Sequence, residues 1–137
     1  MLQVKNIIDG KEIEASSGES FANFNPATNR QIARVSKAGK QELESALENG
    51  KKAQKQWLSI PREKRSQILF RASEILRQRN DELAKLEVRD TGKPISEASV
   101  EDVVSAADCV EYFSKALLNI KDERIQLGHN YADVIKV

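Results

Sequence analysis

The chain has 137 residues and a mass of 15.4 kDa, which suits one domain able to bury roughly two thirds of its unfolded surface. Its 22 Lys and Arg against 21 Asp and Glu leave a net charge of +1, without the basic excess of a nucleic-acid binder. One cysteine and one histidine exclude a disulfide framework or a Cys/His metal cluster, and the six glycines stand too far apart for a dinucleotide or phosphate loop.

Residues 1–37 read as short strands punctuated by turns. Asn6-Ile7-Ile8 and Lys11-Glu12-Ile13 flank Asp9-Gly10, a dipeptide that supplies the two positive-φ residues of a tight hairpin turn. Ser16-Ser17-Gly18 breaks the chain before a segment carrying Phe21 and Phe24. Asn25-Pro26-Ala27-Thr28 is a second turn, since Pro26 fixes φ and cannot donate to a ladder. Gln31–Ser36 forms one more strand. A hairpin of this size is marginal alone and needs a layer to lie on.

Residues 40–118 change to a 3.6-residue period. Leu43, Ala46, Leu47, Ala53 and Trp57 share one face of a first helix, with Lys51, Lys52 and Lys55 pointing away. Ser59-Ile60-Pro61 opens a second, with Ile68, Leu69, Ala72, Ile75 and Leu76 as its apolar stripe. Asn80-Asp81 starts a third bearing Leu83, Leu86 and Val88. Thr91-Gly92-Lys93-Pro94 stops it, because glycine suits the left-handed position after a helix and Pro94 cannot continue one. Ser96 caps a fourth and longest helix whose inward positions are Val100, Val103, Val104, Ala107, Val110, Phe113, Leu117 and Leu118.

Beyond Asn119 the period lapses. Ile125 and Leu127 alternate with polar residues, Gly128-His129-Asn130 turns, and Tyr131–Val137 favours a strand. A β-rich apolar terminus invites pairing, so the chain reads as interrupted rather than finished. The expected fold class is α+β: an N-terminal antiparallel hairpin and short strands, about four helices, and a strand within 124–137. With no apolar run long enough to span a bilayer or to form a signal-peptide core, a cytoplasmic protein is expected.

Few side chains carry chemistry. Cys109 stands near Ala106 and Phe113 beside acidic Asp108, which favours an inert, packed thiol over a nucleophile. His129 lies in a turn with no nucleophile beside it. The basic stretch Arg62–Arg79 also holds Glu63 and Glu74, as an ion-paired solvent face does. Asp90-Thr91-Gly92-Lys93-Pro94 fixes a carboxylate at a bend. It reads as a helix stop first, and as a hard-cation ligand second.

The ordered set of motifs resembles the opening of the NAD(P)-dependent aldehyde dehydrogenases, nearest the betaine-aldehyde branch. It comprises Ile7-Ile8-Asp9-Gly10, Phe24-Asn25-Pro26-Ala27-Thr28, Ile32-Ala33-Arg34-Val35, Trp57 ahead of Arg62 and Arg65-Ser66-Gln67-Ile68-Leu69, Arg79–Ala84, Asp90–Pro94 and Ala107–Phe113. The resemblance covers nearly all of this chain but only about the first quarter of a family subunit. It implies oxidation of an aldehyde to an acid through a thiohemiacetal on a cysteine that Cys109 does not match, with the general base and the Rossmann cofactor site downstream. It therefore implies a scaffold segment, residues 1–137, inactive alone and without a bound cofactor of its own, whose last strand belongs to an oligomerisation sheet. It also implies that Ser105 and Cys109 neighbour the substrate entrance, and that a Na⁺ or K⁺ is held by the Phe24 backbone carbonyl and Asp90. Expected partners are the other dehydrogenase domains or a second copy, with no nucleic acid and no membrane. The alternative is an autonomous helical interaction protein descended from a truncated dehydrogenase.

Overall fold

A computed structural model describes residues 1–120 and 123–134. Five short strands come first: β1 (Leu2–Val4), β2 (Asn6–Ile8), β3 (Lys11–Ile13), β4 (Ser20–Asn25) and β5 (Arg30–Ser36). β2 and β3 form the expected hairpin, with Asp9 at φ 53° and Gly10 at φ 70° in its turn. The remaining three build a mixed sheet in the order β1-β5-β4. β4 runs antiparallel to β5, whereas β1 joins it in parallel, Leu2 opposite Ala33 and Val4 opposite Val35. The first strand and its parallel pairing were not legible in the sequence, because three residues are too few to show a period.

The helices are α1 (Lys40–Ser59), α2 (Arg62–Gln78), α3 (Asn80–Thr91), the single turn α4 (Ile95–Glu97) and α5 (Val103–Asn119). A π-helical stretch, Ala98–Asp102, joins α4 to α5, so the long fourth helix of the sequence pattern is continuous but carries one wide turn. α3 ends as its chemistry demands, with Gly92 at φ 74° and its N–H donating to the Val88 carbonyl at 2.9 Å. The strands β6 (Glu123–Leu127) and β7 (Asn130–Val134) close a second antiparallel hairpin. The last part of the expected Tyr131–Val137 strand, residues 135–137, lies outside the described residues.

The core is small and is built from small side chains. α2 and α5 make the most extensive contact between helices. What they bury is Ser66 and Ser73 on α2, and Val103, Ala107 and Ser114 on α5. Side chains this short let the two backbones approach closely, and each deeply buried serine satisfies its own hydroxyl. Ser73 Oγ donates to the Phe70 carbonyl and Ser114 Oγ to the Glu111 carbonyl, both at 2.7 Å. Ala84, Ala98 and Val103 form a second cluster, flanked by Leu83 and Val88.

Several side chains expected inside are outside. Leu43 and Leu47 on α1, Ile68 and Ile75 on α2, and Val100, Phe113 and Leu118 on the fourth helix are all substantially exposed. On α1 the inward position is instead Glu42, whose carboxylate accepts the N–H groups of Ser16 and Gly39, both at 2.8 Å. Val100 lies inside the π-helical turn, which interrupts the 3.6-residue register that had aligned it with Val103 and Ala107. Cys109 is exposed as well, so the packed-thiol expectation is corrected: the buried stripe of α5 runs through Val103, Ala107 and Ser114 and leaves position 109 outside it.

Candidate functional site

The junction at the end of α3 gathers more of the singled-out residues than any other place. Asn25 shapes the turn after β4, its Oδ1 accepting the N–H of Ala27 at 2.8 Å and of Thr28 at 3.2 Å. That turn sits directly on Gly92. A Cβ added there would lie 2.9 Å from Pro26 Cγ and 3.3 Å from the Ala27 nitrogen, so two motifs 66 residues apart in sequence are one contact in the fold. One residue before Phe24 on β4, Asn23 Nδ2 donates to Asp90 Oδ1 at 2.6 Å. Between Asn23 and Phe24 the register with β5 shifts: Asn23 faces Ala33 and Phe24 faces Gln31, which leaves Ile32 unmatched.

The other side of the junction is an ion cluster. Lys93 Nζ lies 2.6 Å from Asp102 Oδ2 and 3.6 Å from Glu87 Oε1, tying the post-helix turn to the π-helical stretch. The Asp102 hydrogen bond, aided by the charges of Asp102 and Glu87, pushes the Lys93 ammonium above its ordinary value and keeps it cationic. Next to both lies a cleft of about 820 Å³ between the three-stranded sheet and helices α2, α3 and α5. Leu2, Val4, Leu76, Leu83, Leu86 and Val103 give it apolar walls, and Asn23, Arg89, Asp90 and Asp102 a polar rim. Neither Asn23 nor Asp102 stood out in the sequence, because each finds its partner only through the packing of strand and helix.

The expected cation pair thus has Asp90 beside the strand of Phe24, with one Asp90 oxygen already accepting from Asn23. Among the described residues no group of three His, Cys, Asp or Glu side chains could hold a metal ion. One carboxylate and one carbonyl fall short of the six or more oxygens a hard cation gathers, so these residues do not complete such a site. His129 is exposed in its turn. Ser105 and Cys109 are also exposed, on α5. Asp108 beside Cys109 is engaged by Arg77 at 2.8 Å, and Arg77 also reaches Glu111 at 2.5 Å. Among the described residues no helix is long and apolar enough to cross a membrane.

A small mixed sheet laid on a serine- and alanine-packed helix group, with its loop chemistry concentrated at one helix stop, defines a fold of the α+β class. The chain belongs to the aldehyde dehydrogenase family, whose model matches residues 13–136. Two betaine aldehyde dehydrogenases of Vibrio vulnificus, from strains YJ016 and CMCP6, are each 44% identical to it over 123 residues. That match takes in 90% of this chain and 25% of each relative, so the chain spans about a quarter of the length of these relatives. Among solved structures it is similar to the aldehyde dehydrogenase KauB from Pseudomonas aeruginosa, with a TM-score of 0.89 and 30% identity over 94% of this chain and 26% of the other. An indole-3-acetaldehyde dehydrogenase solved with NAD⁺ gives a TM-score of 0.88 at 28% identity, again over 94% of this chain and 26% of the other.

Proposed function

We propose that these residues are the N-terminal scaffold of a betaine-aldehyde-type dehydrogenase that oxidises an aldehyde to its acid with NAD(P)⁺, and that they do no chemistry alone. The observation that carries the reading is the 44% identity to betaine aldehyde dehydrogenases along nine tenths of the chain. The residues present fit a supporting role better than a reacting one. Cys109 is exposed next to an acid, with neither histidine nor helix N-terminus to stabilise a thiolate. The glycines, at 10, 18, 39, 50, 92 and 128, form no turn that could hold a dinucleotide, and no step is derived through one. What this chain supplies is the locked junction of β4 and α3, and an apolar-walled cleft on which further structure can pack. A Na⁺ or K⁺ at Phe24 and Asp90 belongs to the same proposal only with oxygens contributed from elsewhere. A single exposed thiol suits a reducing compartment such as the cytoplasm.

The test is complementation. The purified chain is assayed for NADH formation from betaine aldehyde and NAD⁺, alone and mixed with a betaine aldehyde dehydrogenase lacking its corresponding quarter. Activity only in the mixture is the expected result. Turnover by the chain alone, or no rescue by a chain that is folded by circular dichroism, overturns the proposal. A second reading, an autonomous interaction protein, draws on the apolar side chains left outside, Ile68 and Phe113 among them. Strong hydrophobic-dye binding that persists in the complemented mixture would favour it.

A further inference from the structure

We propose that Ala98–Asp102 is a two-register element, held in its wide form by Asn80 and Lys93, which can close into a regular α-turn that exchanges Ala98 for Val100 at the core. In the wide form the Val103 N–H donates to the Ala98 carbonyl, five residues back. A regular α-helix would send that N–H to Ser99 instead. The five-residue step puts Ala98 and Val103 on one side, where both are buried against Ala84. Val100 is turned outward and is 68% exposed.

The same sequence also fits the regular register. Val100, Val103, Val104, Ala107 and Val110 share one face of an uninterrupted α-helix. α5 is fixed by its packing on α2 and by Arg77, which reaches both Asp108 and Glu111. Taking the extra residue out of the wide turn therefore rotates the lighter stretch ahead of it, α4 included, by about 100°. Val100 then joins the buried stripe and Ala98 leaves it. Valine buries more apolar surface than alanine, so the wide form needs contacts of its own to persist.

Two side chains from outside the turn supply them. Asn80, the first residue of α3, donates from Nδ2 to the Ser99 carbonyl at 2.9 Å, the acceptor that the Val103 N–H has given up. Its Oδ1 is buried with no hydrogen-bond partner among the described residues, a cost that a leucine of similar size would not carry. Lys93 Nζ holds Asp102, the last residue of the turn, at 2.6 Å, and lies 3.6 Å from Glu87 on α3. Both contacts thus clasp the wide turn to α3 and its stop. Asp102 also lines the cleft beside the sheet, so a cationic group that draws it away from Lys93 there releases the turn.

The test is iodoacetamide labelling of the full chain carrying Val100→Cys and Cys109→Ser, compared with the same chain unfolded in urea. Labelling close to the unfolded rate is expected, because position 100 is exposed in the wide form. Adding Asn80→Leu and Lys93→Met slows it at least about tenfold at unchanged helix content, as the exposed register falls to a minor state. Lys93→Arg, which keeps the cation, leaves labelling fast. A thiol at position 100 already protected with both clasps in place, or labelled equally fast in the double variant, overturns the proposal. So does a slowing by Lys93→Arg as large as that by Lys93→Met. A double variant that unfolds overturns it too, since a clasp choosing between two folded registers does not hold the chain together. None of these readouts requires dehydrogenase activity, so the two-register element and the scaffold reading fail separately.

Discussion

Replacing Gly92 by alanine probes the contact on which the candidate site depends. Two effects add. The residue keeps φ near 74°, and holding a Cβ in the left-handed region costs about 1–2 kcal/mol. The new methyl would also lie 2.9 Å from Pro26 Cγ and 3.3 Å from the Ala27 backbone nitrogen, so the turn must back away, at about 1–3 kcal/mol for overpacking. Gly18→Ala isolates the first effect, since Gly18 has φ 69° and open space around it. At about 4 °C per kcal/mol for a chain of this size, Gly92→Ala lowers Tm by roughly 8–20 °C and Gly18→Ala by roughly 4–8 °C. Thermal unfolding followed by circular dichroism measures both. Adding Pro26→Ala to Gly92→Ala recovers part of the loss, because the nearest atom is gone while Ala27 N remains. Equal losses at the two glycines, or additivity of the Pro26 and Gly92 changes, would refute the packing of the turn on α3.

Two further outcomes follow from the helix interior and the α1 cap. Ser73→Leu forces α2 and α5 apart and lowers stability by about 1–3 kcal/mol, whereas Ile68→Ala, at a side chain 47% exposed, costs less than about 1 kcal/mol in urea denaturation; the reverse order would restore the packing expected from periodicity. The Glu42 carboxyl, held down to about 2 by the N–H groups of Ser16 and then Gly39, is charged in the fold where an unfolded glutamate, near 4.5, is already protonating. Its stabilisation is therefore whole above about pH 5 and drains away as the pH falls toward about 2. Glu42→Gln should flatten the fall of the urea midpoint over that range, and identical acid slopes in the two proteins would mean that these hydrogen bonds do not form in solution.

Much of the chain was legible because its punctuation is local. Asp9-Gly10 adopts the backbone that hairpin chemistry requires, and Gly92 stops α3 where a left-handed residue is needed. The α+β class and the succession of four helical segments follow from the same signals. So does the family resemblance, which lives in the order of short motifs rather than in any one site. Half of the candidate site was legible too: Asp90 and the turn after Phe24 stand out in the sequence, but their meeting does not. Asn23 carries no motif, and Lys93 finds Asp102 across a π-helical turn that periodicity cannot foresee.

The sequence by itself determined where helices and turns fall and which face of each helix is apolar. The tertiary structure alone decided which faces are covered. Leu43, Leu47 and Phe113 belong to apolar stripes and yet meet solvent, while Glu42, Ser66, Ser73 and Ser114 are buried. The physical reason is that a 3.6-residue period marks a side able to be buried but says nothing of a partner for it. Close helix approach rewards small side chains, and a buried polar group is tolerated when its own backbone neighbours satisfy it, as Ser73, Ser114 and Glu42 show.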